Sequence, residues 1–213
     1  MATLQKLLDR MAAGVARDDL SSQYTDFLSA AQKQICRRRS FNWMRGTAPF
    51  VMGVGSSQIL FSSLFKELQE RRDAVRLLSN GAYSPAQVLS REEILRWPQI
   101  SITQPLVVYL DWYVVSGSKV RTLNLQPGQT AGSNLTFEID YFSFPDDFGS
   151  DTAATNFLTQ EYPDMLVAKA KALALATIND PAAGDNEEVF EKLFRDAASY
   201  DAHTSLTGRA LRM

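Results

Sequence analysis

Reactive side chains are scarce in this sequence. Its 213 residues include one cysteine, Cys36, and one histidine, His203. A single cysteine excludes an intramolecular disulfide and is typical of a reducing compartment. Zinc sites need three or four Cys and His ligands at defined spacing, so we predict no metal site. Because no nucleophile is accompanied by a recognisable base, we also predict no enzyme activity, no catalytic residue and no cofactor.

Long hydrophobic runs and a strong charge of one sign are also missing. The most apolar segment, MLVAKAKALALATI, contains two lysines and is shorter than the roughly 20 residues of a membrane span, so no membrane association is predicted. The N-terminal residues lack the apolar run of a secretory signal. The formal net charge of -2 argues against a uniformly basic surface for nucleic acid. The charge is nevertheless uneven, because residues 1–100 hold 14 Lys and Arg against 9 Asp and Glu, while residues 101–213 hold 8 against 15.

Helical periodicity occurs at both ends of the chain. Apolar residues recur every three to four positions in the segments that we predict as helices, which are residues 3–17, 22–39, 163–179 and 185–199. Ser21 and Ser22 are candidate caps for the second helix, and Asp185 with Glu188 for the last. The helix from Pro163 is apolar on two faces, which predicts that it lies between the sheet and another helix or subunit.

The middle of the chain has the pattern of β-structure, from about residue 74 to 144. Asn80-Gly81 predicts a hairpin turn, and Ser90 with Glu93 predicts a capping box for a short helix. Three apolar runs, LVVYLDWYVV, KVRTLNLQP and NLTFEIDYFSF, predict an antiparallel meander. Residues 46–57 are rich in glycine and serine and are predicted to form an irregular loop. The predicted fold class is therefore α+β, with one domain over residues 1–199 and a flexible C-terminal arm over residues 200–213.

The densest basic cluster comprises Lys33, Arg37, Arg38 and Arg39, at the end of the second predicted helix. Cations at a helix C-terminus oppose the helix dipole favourably, which is a sufficient structural reason for them. The alternative is contact with DNA phosphates, and it would make the chain a DNA-binding regulatory protein. No helix-turn-helix or RNA-binding signature accompanies the cluster. Phe41 and Trp43, which follow, are interpreted as a pin that fixes this helix to the sheet.

The order of these segments resembles a known family. QYTDFLSAAQKQICRRRSFNW, SNGAYSPAQVLSREEILRW, VRTLNLQPG with NLTFEIDYF and PDDF, and TNFLTQEYPDMLVAKAKALALATINDP are similar to the head-to-tail adaptor proteins of tailed bacteriophages. The similarity covers about residues 20–200 and rests on aromatic and turn residues. It is weaker in residues 1–20 and 46–63.

The resemblance implies a non-enzymatic structural protein of the virion neck, assembled in the host cytoplasm. Such adaptors form a ring, usually dodecameric, that binds the portal protein, joins a tail or nozzle protein, and continues the DNA channel, where non-specific contact with the genome is expected. A tail-completion or head-closure protein at another level of the neck is the alternative within the same class. Opposite charges in the two halves suit a subunit with different neighbours.

The resemblance and the residue pattern together give two groups of candidate site residues. The candidate portal-binding residues of the arm are Tyr200, His203, Leu206, Arg209, Leu211 and Arg212. The candidate residues of the DNA channel or of a subunit interface are Lys33, Arg37, Arg38 and Arg39. Because consecutive residues of a helix point about 100° apart, we expect at least two of the three arginines to have capping or interface roles.

Overall fold

The computed structural model describes residues 2–15, 17–70, 73–79, 81–96, 106–115, 117–125, 127, 129–149 and 151–210. They divide into two compact units. The helical unit combines Met1–Met44 with Pro145–Met213, and the sheet unit is the continuous segment Arg45–Phe144. The prediction of one domain over residues 1–199 concerns cooperative folding and stays a prediction.

Helices and strands together confirm the α+β class. The helices are α1 (Leu4–Val15), α2 (Tyr24–Arg38), α3 (Arg91–Arg96), α4 (Phe157–Glu161), α5 (Pro163–Ala176) and α6 (Ala182–Ala210), with 3₁₀ segments at Asp18–Gln23 and Asn42–Met44. The strands are β1 (Arg45–Met52), β2 (Gln58–Leu60), β3 (Phe65–Leu68), β4 (Val75–Ser79), β5 (Ala82–Pro85), β6 (Gln87–Leu89), β7 (Val107–Val115), β8 (Ser118–Leu125) and β9 (Leu135–Ser143).

Helix α5 lies at the centre of the helical unit. It packs against α1, α2, α4 and α6, and nine of its fourteen residues are buried. Its two apolar faces are therefore covered by helices of the same unit. The predicted helix neighbour is confirmed, and further helices stand where the sheet was expected, because apolar periodicity reports burial without identifying the neighbour. Pro163 stands in the first turn as predicted.

The helix boundaries differ from the predicted ones in two places. A 3₁₀ segment precedes α2, so Gln23 takes the N-cap position without a side-chain hydrogen bond, in place of Ser21 or Ser22. Helix α6 begins at Ala182, where Asp180 accepts a hydrogen bond from the Ala182 amide at 2.9 Å, so Asp185 lies within its first turn. The helix continues to Ala210, through most of the predicted arm, because extending an existing helix costs far less than nucleating one.

Strand β9 organises the first sheet of the sheet unit. It pairs antiparallel with β1 along one side, and with β3 and β4 along the other. Strand β1 lies where an irregular loop was predicted. Glycine and proline, which this segment contains, are typical of loops. Pro49 is tolerated here because β1 is an edge strand, whose outer side makes no ladder hydrogen bonds.

The second sheet has the order β2-β8-β7-β6, with β6 parallel to β7 and the other pairs antiparallel. The predicted meander holds for β7 and β8, but its third strand, β9, belongs to the first sheet. One hydrophobic core joins the two sheets, since its buried members come from both: Met52, Val75, Phe137 and Ile139 from the first, and Ile59, Val108, Leu123 and Leu125 from the second.

Two local predictions in this unit are confirmed. Gly81, with φ of 78°, lies in the turn of the β4–β5 hairpin, a conformation that favours glycine. The capping box before α3 is complete. The Glu93 amide donates to Ser90 Oγ at 3.2 Å, and the Ser90 amide donates to Glu93 Oε2 at 2.8 Å.

Candidate interaction surfaces

The arginine-rich end of α2 packs against α6 of the same chain. The Arg38 guanidinium donates to both carboxylate oxygens of Glu191, at 2.6 and 3.0 Å. Its carbon also lies 4.4 Å from the ring centroid of Phe194 and 5.4 Å from that of Phe190. The hydrogen bonds raise the pKa of Arg38 and lower that of Glu191. Arg38 therefore joins two helices by a bidentate ion pair and by cation–π contact.

A second connection to α6 lies ten residues further along that helix, at Asp201. This buried carboxylate accepts a hydrogen bond from the Asn42 amide at 2.8 Å, while Asn42 Nδ2 donates to the Asp201 carbonyl at 2.8 Å. Arg39 completes the group, with 3.7 Å between its Nη2 and Asp201 Oδ2. We call Arg38, Arg39, Asn42, Glu191 and Asp201 the α2–α6 clamp. It fixes α6 to the body of the helical unit as far as residue 201.

The aromatic residues after the arginines complete this packing. Phe41 is fully buried, lies edge-on to Phe194 of α6 at 5.8 Å, and stacks on Trp43 at 5.5 Å. Trp43 in turn stacks on Phe157 of α4 at 5.2 Å. These aromatics attach α2 to helices, so the interpretation as a pin onto the sheet is wrong. A local sequence pattern can identify anchoring residues but not the element that receives them.

The other two residues of the basic cluster have different environments. Lys33 forms an ion pair with Asp147 at 2.6 Å, within the helical unit. Arg37 is exposed, and among the described residues it has no ion-pair partner. Within the described part of the chain, carboxylates therefore neutralise three of the four predicted channel or interface cations.

The predicted portal-binding residues fall at the end of α6 and beyond. Tyr200 is 68% exposed. His203, Leu206 and Arg209 belong to the last turns of α6 by their backbone, and their side chains lie outside the description. Leu211 and Arg212 lie outside the described residues. The structure therefore places four of the six on one continuous helix.

Phe157 of α4 and Tyr162, the residue that follows this helix, form an aromatic pair. The rings of Phe157 and Tyr162 are 6.0 Å apart, and Phe157 is 40% exposed. Burial raises the pKa of Tyr162, and the nearby Asp201, Tyr200 and Glu161 add to this effect. Tyr162 thus lies near the point where the clamp holds α6.

An ion network stabilises the strands of the first sheet. Arg76 of β4 donates to Glu138 of β9 at 2.7 Å and to both oxygens of Asp140, at 2.7 and 2.9 Å. Asp140 is buried and also accepts from Thr47 of β1 at 2.6 Å. Hydrogen bonding to Asp140 is the main cause that raises the pKa of Arg76. Three strands are therefore linked through one buried carboxylate.

The hairpin of β7 and β8 carries three consecutive exposed apolar residues, Trp112, Tyr113 and Val114. None of the three is among the predicted site residues. The available signal was the run VVYLDWYVV, in which apolar residues occupy both faces of one strand. A strand buried on both faces has the same pattern, so the sequence does not distinguish a core strand from a projecting one.

No described helix is long and apolar enough to cross a membrane. Within the described residues, no three Cys, His, Asp or Glu side chains come together as a group that could hold a metal ion.

The candidate sites of the described residues are therefore surfaces and one anchored helix, α6. Residues 2–212 match the sequence model of the SU10 adaptor protein family, so the chain belongs to that family. This match confirms the resemblance to the adaptors of tailed phages, and the chain is a structural adaptor protein of a phage. No curated protein matches the chain.

Proposed function

We propose that the chain is a subunit of a ring, most simply a dodecamer, that lies beneath the portal, joins the capsid to the tail or nozzle protein, and continues the DNA channel. Membership of the SU10 adaptor protein family supports this assignment. A ring needs heterologous contacts, in which each subunit presents two different surfaces to its neighbours. The role requires placement and attachment, and it needs no catalytic group.

The observation that carries the proposal is the anchored α6 helix. The clamp holds this helix through Asp201, and the helix then continues to Ala210. A helix that is fixed at its base loses less conformational entropy on binding than an unanchored arm. The arm residues Tyr200, His203, Leu206 and Arg209 are thus candidates for a preorganised portal contact, with Leu211 and Arg212 following them.

Truncation of the arm tests the portal contact. A chain that ends at Ala202 keeps Asp201 and the clamp, so its unfolding should match the full chain, while its affinity for purified portal rings should fall at least about a hundredfold. A chain that ends at Ala198 is a poorer test, because it also removes Asp201. Undiminished portal binding by the chain that ends at Ala202, measured by co-sedimentation, would refute the arm's proposed role.

A DNA-binding regulatory role is less well supported than the adaptor role. Lys33, Arg38 and Arg39 have carboxylate partners, so Arg37 is the cation of the cluster that remains available to phosphates among the described residues. Affinity for DNA depends on the number of phosphates that are neutralised, and one cation per subunit gives little. We therefore propose that contact with DNA in the channel is non-specific and is limited at this cluster to Arg37.

A further inference from the structure

The β7–β8 hairpin extends beyond the sheet to which it belongs. Strand β6 pairs only with Val107–Tyr109, and β2 pairs only with residues 122–124. Residues 110–115 pair with residues 118–123, and residues 110–115 and 118–121 have no further strand beside them among the described residues. We call this segment the β-ribbon. Six residues of strand span roughly 20 Å, which is long enough to reach another molecule.

One face of the β-ribbon continues the hydrophobic core into solvent. Alternate residues of a strand share a face, so Val108, Leu110, Trp112 and Val114 form one row. Val108 is buried and Leu110 packs against the core, whereas Trp112 is 54% and Val114 59% exposed. The second half of an otherwise core-facing row is therefore uncovered, which marks an interaction surface.

The contact should be made through this face rather than by addition of a strand. The Trp112 amide donates to Asp111 Oδ1 at 2.8 Å. The Asp111 side chain thus occupies a backbone donor that an added strand would need.

The same face is basic. Arg121 lies opposite Trp112 in the strand register, and Lys119 lies opposite Val114. The Arg121 guanidinium carbon is 4.0 Å from the Trp112 ring centroid, and burial lowers the pKa of Arg121. Its Nε is buried and has no hydrogen-bond partner among the described residues. An apolar surface that carries two cations is complementary to an apolar surface that carries carboxylates.

The helical unit offers such a surface on the first turns of α6. Val189 is 52% exposed, and Asp185 and Glu188 are exposed beside it, with no ion-pair partner in the part of the chain that the structure describes. The helical unit as a whole holds 16 Asp and Glu against 13 Lys and Arg. The two cations of the β-ribbon can therefore be matched by two carboxylates of the same protein.

We propose that the β-ribbon docks on a second copy of this chain, with Trp112 and Val114 against Val189 and with Lys119 and Arg121 facing Asp185 and Glu188. The contact is heterologous, so repetition around an axis generates a ring. The inference rests on the proposed ring and supplies one of the contacts between its subunits.

Cross-linking between two single-cysteine variants tests the contact. A Val114→Cys chain and a Val189→Cys chain are mixed at high concentration, with and without portal rings, and treated with a short bismaleimide. Cys36 is buried, so the wild-type chain reports the background. An Ala13→Cys chain, changed at an exposed position of α1, replaces Val189→Cys in the matched control.

Charge reversal shows whether the contact is specific. Lys119→Glu with Arg121→Glu should reduce the cross-linked heterodimer about tenfold, because two attractive pairs become repulsive, and Asp185→Lys with Glu188→Lys in the partner chain should restore it. A heterodimer yield equal to that of the Ala13→Cys control, both with and without portal, would overturn the proposal. Cross-links from Val114→Cys to the portal protein, with none to the Val189→Cys chain, would also overturn it.

The two proposals fail in different ways. If the chain does not bind portal rings, the reaction without portal still reports the contact between copies. If the chain binds portal rings but gives only control levels of heterodimer, the portal contact stands and the β-ribbon contact is wrong.

Discussion

Arg37, Arg38 and Arg39 are consecutive, yet each has a different environment. Residues that follow one another at a helix end point about 100° apart, so neighbours in sequence reach different surfaces. Arg38 contacts Glu191 and two phenylalanine rings, Arg39 approaches Asp201, and Arg37 is exposed. The expectation that at least two of the three have capping or interface roles stays a prediction. The cluster therefore acts as three separate side chains and not as one basic patch.

The contrast between Arg38 and Arg37 gives a matched pair of substitutions. Arg38→Ala should lower the free energy of unfolding by about 1 kcal/mol, because a partly exposed ion pair and a cation–π contact are lost. Arg37→Ala should change it by less than about 0.5 kcal/mol. Urea unfolding followed by circular dichroism measures both.

The same pair of variants predicts a pH dependence. Arg38 lowers the pKa of Glu191, so the stabilisation is present above the ordinary carboxyl pKa and is lost as the pH falls through the folded value. The difference between wild type and Arg38→Ala should therefore shrink in acid. Equal losses from Arg37→Ala and Arg38→Ala at neutral pH would contradict the assigned roles.

Strand β9 is the element on which the first sheet depends. It pairs with three other strands. Its side chains alternate between two faces as the sequence predicts, and Phe137 and Ile139 lie in the core. The opposite face carries Glu138 and Asp140, which bind Arg76 of β4. Asp140 belongs to the polar row and is nevertheless buried, so the ion network replaces water on that face. Such networks are sensitive to the loss of one member.

Removal of the cation from this network should destabilise the sheet unit strongly. Arg76→Leu should lower the free energy of unfolding by about 3 to 5 kcal/mol, because it deprives a buried carboxylate of its charged donor. Arg76→Lys should lie between Arg76→Leu and wild type, since lysine keeps the charge but cannot donate in a fork. Arg91→Leu is the control, because Arg91 is 69% exposed in its own ion pair. If thermal unfolding shows equal losses of stability for Arg76→Leu and Arg91→Leu, the network contributes little.

At the scale of the whole molecule, the segment that forms the sheet unit is inserted, in sequence, between the two segments that form the helical unit. The helical unit uses both ends of the chain, and the sheet unit is the uninterrupted segment Arg45–Phe144. Arg45 pairs with Phe142 in the β1–β9 ladder, so the ends of the sheet unit are adjacent. A segment with adjacent ends and its own core has the anatomy of an independently folding domain.

The isolated fragment 45–144 should therefore fold. We expect a β-type circular dichroism spectrum and a cooperative urea transition, because the two-sheet core lies entirely within the fragment. Calorimetry of the full chain then tests the prediction of one domain, which requires a single transition. A fragment without a cooperative transition would show that the sheet unit depends on the helical unit for its stability.

The sequence by itself determined the local structure and the family. The Ser90–Glu93 capping box, the hairpin turn at Gly81, the alternation of β9 and the first-turn position of Pro163 depend on interactions within a few residues, and such interactions leave a readable pattern. The aromatic and turn residues that carried the resemblance to phage adaptors lie in these same segments, and the family match confirms it.

Only the tertiary structure decided which surfaces meet. Arg38 and Glu191 are 153 residues apart, and Asn42 and Asp201 are 159 apart, so no local pattern could pair them. Strand β1 was missed because Gly46 and Pro49 are typical of loops, whereas its pairing with β9 depends on residues about 90 positions later. Periodicity requires that α5 be buried on two faces, but several helices or a sheet could satisfy that requirement equally well. The arrangement of the chain in space selects among these neighbours, and it also leaves Trp112 and Val114 of the β-ribbon and Val189 of α6 exposed.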